Sequence, residues 1–259
     1  MTDKLSATSP KKNIWRSIRG RAINWYVDTY NAIRSGHTNT GTASGISAFE
    51  EIQQHARKRS DINEHLAMLF AETIRMRPKL IVEMGVRGGE STFAFERAAQ
   101  FSDATLLSID IDDCESASSY PHWHFLQADD IAFSKEFPAW CKNQGIEPKV
   151  EVMFIDTSHF YDHTVQEIEH WFPYLADHAI VFFHDTNMQD IYRRRDGSLG
   201  RGWQNDRGVI RAVEDYFKKS FDETRDFVHV EPGWIIRHYA HNSGMTVLER
   251  IAETDTAKQ

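Results

Sequence analysis

The sequence predicts an α/β fold: a doubly wound, mostly parallel sheet of seven strands behind an N-terminal helical extension, residues 1–60. Three observations predict it. Beyond Pro78, short apolar runs alternate with stretches of helical period, the order that builds right-handed βαβ units. Those runs are continuous rather than alternating, as in strands buried on both faces. Acids, glycines and histidines recur at the ends of the runs, the edge at which open parallel sheets bind ligands.

The elements follow in order. Apolar residues at Ile14, Trp15, Ile18, Ala22, Tyr26, Tyr30 and Ile33 have helical spacing and one aromatic face. Ser35 to Gly45 holds three glycines and no apolar period, a loop. A second helix is expected over Ser47 to Arg57. Asp61 with Glu64 resembles a capping pair opening a third, which ends before Pro78. Strands are expected at Leu80–Val82, Ala104–Ile109, Trp123–Leu126, Val150–Ile155 and Ala179–Phe183. Helices are expected at Ser91–Ala99, Phe133–Lys142 and His163–Leu175. A helix over Gly208 to Lys218 precedes two closing strands, Phe227–Val230 with Trp234–Ile236, and Met245–Leu248. Residues 61–259 thus read as one ligand-binding domain.

Composition narrows the function classes. The chain has 259 residues, 41% of them hydrophobic, enough for a core without staples. A formal charge of −8 makes it a poor general binder of nucleic acid. The apolar run Ala179–Phe183 falls far short of the ~20 residues of a spanning helix. No apolar stretch follows Lys11 and Lys12 as in a signal peptide, and two cysteines, Cys114 and Cys141, suit a reducing compartment. The expected location is the cytoplasm.

The most informative stretch is L-I-V-E-M-G-V-R-G-G-E-S-T, Leu80 to Thr92: a strand, a glycine-rich turn, a helix. The next strand ends in S-I-D-I-D-D, where Asp110 can bind the two hydroxyls of a ribose. Two nucleoside cofactors suit such a layout. Nicotinamide dinucleotides want G-x-G-x-x-G under a pyrophosphate. Here the order is E-x-G-x-x-G-G, and an acid two residues before the first glycine suits a cationic group, such as the amine of a methionine moiety. The alternative is a tight strand-to-helix turn with solvent-facing acids.

On these residues the sequence resembles the class I, Rossmann-like, S-adenosylmethionine-dependent methyltransferases over about Asp61 to Arg250. The resemblance implies that Glu83, Gly85, Gly89 and Ser91 line the methionine and ribose side and that Asp110 holds the ribose. Within Q-A-D-D, Gln127 to Asp130, it places Asp129 at the adenine.

A second constellation is F-I-D-T-S-H-F-Y-D-H, Phe154 to His163, and a third is V-F-F-H-D-T-N, Val181 to Asn187. If their strands are neighbours, ~4.8 Å apart, Asp156 and Asp185 can converge on one ion. Two carboxylates with waters suit Mg²⁺, which could orient a diol and lower the pKa of one hydroxyl. His159, three residues past Asp156, is placed for a general base. His184 is open between a metal ligand, a second base and a supporting partner, and imidazole suits transition metals better than Mg²⁺. His163 and His170 read as helix-surface residues.

D-x-x-H, then E-H-W-F-P-Y-L (Glu169 to Leu175), then F-H-D-T, resembles one branch: the metal-dependent sugar O-methyltransferases of natural-product pathways and the cephalosporin hydroxylase-like family. That resemblance implies a metal held by Asp156, Asp185 and the position of His184, where the relatives tend to place another acid. It also implies a small-molecule hydroxyl acceptor of glycoside type.

The polar stretch from Met188 to Gly208 is long for a loop, and its Gly202–Gly208 segment, with Trp203, is expected to form part of a lid. His238 and Asn242 are weaker candidates for the acceptor side. Residues 1–35 carry a local charge of +5, and their basic aromatic helix is expected to cover the cleft or meet a second copy of the chain, with a membrane surface as the alternative. Two other functions stand beside methyl transfer: a hydroxylase-related enzyme, and a non-catalytic module that keeps the nucleoside pocket and docks a partner through its N-terminal helix.

Overall fold

A computed structural model describes residues 48–251. The predicted aromatic helix and the loop after it lie outside the described residues. Eight strands form one sheet: β1 (Leu80–Met84), β2 (Thr105–Asp110), β3 (Trp123–Gln127), β4 (Val150–Ile155), β5 (Leu175–His184), β8 (Phe227–Glu231), β9 (Trp234–Tyr239) and β10 (Met245–Arg250). Their order is β3-β2-β1-β4-β5-β10-β9-β8. The first five are parallel and the last three pair antiparallel. The count exceeds the expected seven because Gly233, at positive φ, turns Phe227–Glu231 and Trp234–Tyr239 into a hairpin of two strands.

Two more short strands, β6 (Ile191–Arg193) and β7 (Leu199–Arg201), pair in the stretch that reads as loop. Three residues each, they are too short to show a period. Gly200 permits them, since a Cβ there would lie 2.0 Å from the Tyr192 ring.

The helices are α1 (Ala48–His55), α2 (Leu66–Met76), α3 (Glu90–Ala99), α4 (Asp130–Ser134), α5 (Phe137–Gln144), α6 (Tyr161–Trp171) and α7 (Gly208–Phe217). Helix α2 starts a turn later than its expected capping pair. His65 stands at its N-cap without a side-chain bond, and Asp61 pairs with Arg87 instead. The single helix expected over Phe133–Lys142 is two, broken at Lys135–Glu136.

Alternation along the strands divides the core. Leu80, Val82 and Met84 face one layer with Phe137, Trp171 and Val213 of α5, α6 and α7. Ile81 faces the other with Leu66, Leu69, Phe95 and Ile52 of α2, α3 and α1. Ile52 is fully buried, so α1 packs into the domain. Among the described residues no helix is long and apolar enough to cross a membrane.

Candidate active site

The strand order reverses at β1, which has β2 on one side and β4 on the other. A crevice opens at such a switch point, outside the carboxyl ends of the strands. Here it is a cleft of about 310 Å³ lined by the glycine turn, the ends of β2 and β3, and the loop after β4.

Backbone contact sets the floor of the cleft. Gly85 leaves β1 at φ +90°, and a Cβ on it would lie 2.1 Å from the Asp156 carbonyl oxygen. Only glycine lets the two turns touch. Gly85 N–H donates to Ile109 O, and Asp156 N–H donates to Met84 O, both at 2.9 Å. Asp110 ties the turn from the other side, accepting from the backbone N–H of Val86 (2.7 Å), Arg87 (3.0 Å) and Asp112 (2.9 Å). Burial opposes its charge, but these bonds win and hold its carboxyl below the ordinary value.

Of the expected cofactor residues, Gly85, Ser91, Asp110 and Asp129 line the cleft. Gly89 and Glu83 are not among the lining residues. Gly89 stands behind, at φ +78°, where a Cβ would meet Ala117 at 3.0 Å. Glu83 shares the face of Ile81, so its carboxylate points under α3 rather than upward. It is fully buried and accepts from Ser91 (2.6 Å), Thr92 (2.9 Å) and Ser108 (2.5 Å). Burial pushes it up to about 7 despite those bonds. Asp129 caps α4, accepting from Ala132 N–H at 2.7 Å.

The ends of β4 and β5 bring the second set together. His159 Nδ1 lies 2.7 Å from Asp185 Oδ2, and its Nε2 lies 3.5 Å from Asp156 Oδ1. His184 Nδ1 lies 2.9 Å from Asp156 Oδ1 and 3.3 Å from Asp185 Oδ1. Its Nε2 faces the Asp61 carbonyl at 3.3 Å and Ser243 Oγ at 3.1 Å. A carbonyl only accepts, so Nε2 carries a hydrogen and Nδ1 is the atom turned to the two acids.

Burial works against charge on His184, yet Asp156 and Asp185 push it up to about 10. Burial likewise opposes charge on His159, and the Asp185 carboxylate outweighs it, so His159 is raised. Burial would raise Asp156; the His184 charge holds it down. His159 and Asp156 line the cleft, while His184 and Asp185 sit beneath it, 2% and 1% exposed.

These residues fit a cation. Asp156, His184 and Asp185 each offer a donor atom within 4.8 Å of the others. Asp185 Oδ1 is buried and has no hydrogen-bond partner. Donors ~2.1 Å from an ion and at right angles stand about 3.0 Å apart, close to the two Nδ1–oxygen separations here.

Several participants escape sequence reasoning. Arg87 grips Asp61 through two bonds, 2.7 and 2.6 Å, at the rim of the cleft. His163, which reads as a helix-surface residue, is half-buried and lines the cleft. Its Nε2 lies 3.2 Å from Asp130 Oδ1 and 3.6 Å from Glu167 Oε1. The i, i+4 spacing of His163 and Glu167 was the available signal. His238, by contrast, is core, bonded to Thr246 Oγ1 at 2.8 Å and to Glu223 O at 2.9 Å. Asn242 is also buried. The Gly202–Gly208 segment does lie on the site. Asn205 donates to Asp185 O at 3.0 Å, and the Trp203 ring is 5.9 Å from that of His159.

Comparison with known proteins places this geometry. Residues 82–186 match a family described as a methyltransferase domain. An uncharacterized protein of Sinorhizobium fredii, y4gI, is 28% identical over 127 residues, 44% of this chain and 14% of its own length. The chain therefore spans about a seventh of that relative. MycE methyltransferase from the mycinamycin biosynthetic pathway, solved with Mg and SAH, is similar at TM-score 0.52 and 15% identity. That match covers 84% of this chain and 58% of MycE. An O-methyltransferase from Bacillus cereus in complex with SAH matches at TM-score 0.52 and 12% identity, over 88% of this chain and 99% of its own. At these identities the two structures speak for the fold. The matched stretch runs from β1, through the glycine turn, to the acids after β5, on a Rossmann-like sheet.

Proposed function

We propose that the protein is an S-adenosylmethionine-dependent O-methyltransferase, assisted by a divalent metal, acting on a hydroxyl of a sugar or other polyhydroxylated small molecule. The observation that carries the reading is His159, which lines the same cleft as the glycine turn and Asp110 and lies 2.7 Å from the buried Asp185 beneath it. Gly85, Ser91, Asp110 and Asp129 would seat the cofactor. Asp156, Asp185 and His184 would hold the metal, which when bound supplies charge that lowers the pKa of a coordinated hydroxyl.

The chain's own residues do the rest. Asp185 Oδ2, 2.7 Å from His159 Nδ1, would orient the ring and leave Nε2 as the proton acceptor, the logic of an oriented base. His159 Nε2 would take the hydroxyl proton as the acceptor oxygen gains the methyl group and the donor sulfur leaves as a neutral thioether. Trp203 and Phe160, 37% and 59% exposed with rings 5.5 Å apart, present an aromatic surface beside the base. A sugar face can stack there. The basic aromatic N-terminal segment, outside the described residues, would cover this cleft or meet a second copy of the chain.

Titration calorimetry with S-adenosylmethionine and its demethylated product comes first, followed by a screen of glycosides and polyols for methylated product. Micromolar binding and a methyl ether on one acceptor are expected. A folded protein that binds neither nucleoside sinks the reading.

A further inference from the structure

We propose that the ion held by Asp156, Asp185 and His184 is a first-row transition metal, of the Mn²⁺, Fe²⁺, Co²⁺ or Zn²⁺ kind, and not Mg²⁺. The inference rests on the metal-assisted reading above and names the metal class of that same site.

The donor set is the first argument. Mg²⁺ favours oxygen, whereas imidazole suits transition metals. Here one of three converging donors is the Nδ1 of a buried imidazole, and a change of rotamer would not take it out of the site. His184 is 2% exposed, with Nε2 tied to the Asp61 carbonyl and Ser243 Oγ. Such a bond from the far nitrogen orients metal-binding histidines and raises their basicity.

Space and charge are the second. Asp185 Oδ1 is buried without a hydrogen-bond partner and lies 3.3 Å from His184 Nδ1, while Oδ2 lies 2.7 Å from His159 Nδ1. Asp156 Oδ1 stands 2.9 Å from His184 Nδ1. An ion here meets two carboxylates and one nitrogen at once. The nitrogen sets this site apart from the all-oxygen surroundings, one or two carboxylates with waters, that Mg²⁺ favours. The other acid–histidine cluster, Asp130, His163 and Glu167, has its own buried, unpartnered oxygens and is the built-in control for where an ion goes.

The test uses tag-free, chelator-stripped full-length protein and the metals alone. Competition against a fluorescent chelator should show Mn²⁺, Co²⁺ and Zn²⁺ binding at least roughly tenfold tighter than Mg²⁺, in rising order of affinity from Mn²⁺ to Co²⁺. Electron-spin-echo spectra of the Mn²⁺ form should show one coordinated imidazole nitrogen, a readout on the unmutated protein. His184→Glu should abolish that nitrogen signal and narrow the preference over Mg²⁺, with its fold checked by nucleoside binding. His163→Ala should leave both unchanged. Mg²⁺ binding as tight as Mn²⁺ overturns the proposal. So does a nitrogen signal that survives His184→Glu or vanishes with His163→Ala. A protein that binds the nucleoside but no divalent ion overturns it too, while leaving methyl transfer to be judged on its own assay.

Discussion

His159 and Asp185 share a backbone feature that ordinary loop residues lack: both sit at positive φ, 62° and 57°. The left-handed region costs about 1–2 kcal/mol for such residues, and it persists where surrounding structure holds it. Here it turns each side chain back over the sheet edge, so that a residue after β4 and one after β5 meet at 2.7 Å. His159→Ala removes the proposed proton acceptor and leaves the glycine turn intact. Turnover should fall about 10²- to 10⁴-fold while nucleoside affinity moves less than about threefold. Steady-state kinetics beside calorimetry checks the split, and a variant with unimpaired turnover would take His159 out of the mechanism.

Elements aim these residues. Helix α7 begins against the His159 loop. A Cβ on Gly208 would lie 2.5 Å from His159 O and 2.8 Å from Tyr161 N, so Gly208→Ala must push the loop outward. A displacement of a few tenths of an ångström should lower kcat about 10- to 100-fold with the far-UV spectrum unchanged. Strand β1 makes a different point. Its alternation sends Glu83 into the layer beneath α3, where burial lifts it from 4.5 to about 7. Between those values the folded state binds a proton that the unfolded chain does not, so this group's contribution declines as pH rises through about 7. Urea midpoints measured from about pH 5 to 8 should therefore fall more steeply in the wild type than in Glu83→Gln. The amide stands in for the protonated acid among hydroxyls that can rotate to accept. Equal slopes would remove Glu83 from the pH dependence.

At the scale of the whole molecule, the cleft lies where the strand order reverses, with the glycine turn and the ends of β2 and β3 on one side and the loop after β4 on the other. A nucleoside bound there ties β1, β2 and β4 together and binds only the folded state. At a hundred times its Kd it should add about 2.7 kcal/mol, raising Tm by roughly 5–10 °C in a domain of this size. Differential scanning fluorimetry against S-adenosylhomocysteine reads this directly, and adenosine, which lacks the amino-acid end, should give a smaller shift.

The parallel half of the sheet was legible in the sequence because buried strands and amphipathic helices write their periods locally. So was the grouping at its edge: Asp156, His159, His184 and Asp185, expected together from the rule that strand ends carry ligands, do lie within reach of one another. Several things were decided only by tertiary structure. Glu83 was expected at the cofactor, but the parity of one strand and three hydroxyls from α3 and β2 close it off. Asp61 was expected at a helix cap, and Arg87, 26 residues away, takes it instead. His163 reads as a surface residue, but Asp130, at the start of α4, comes within 3.2 Å of it. The β6–β7 hairpin was hidden because three-residue strands show no period, and the eighth strand because the turn at Gly233 divides what reads as one closing strand. Local pattern names which residues bear chemistry; which of them face one another depends on contacts between segments far apart in the chain, and those exist only once the layers have packed.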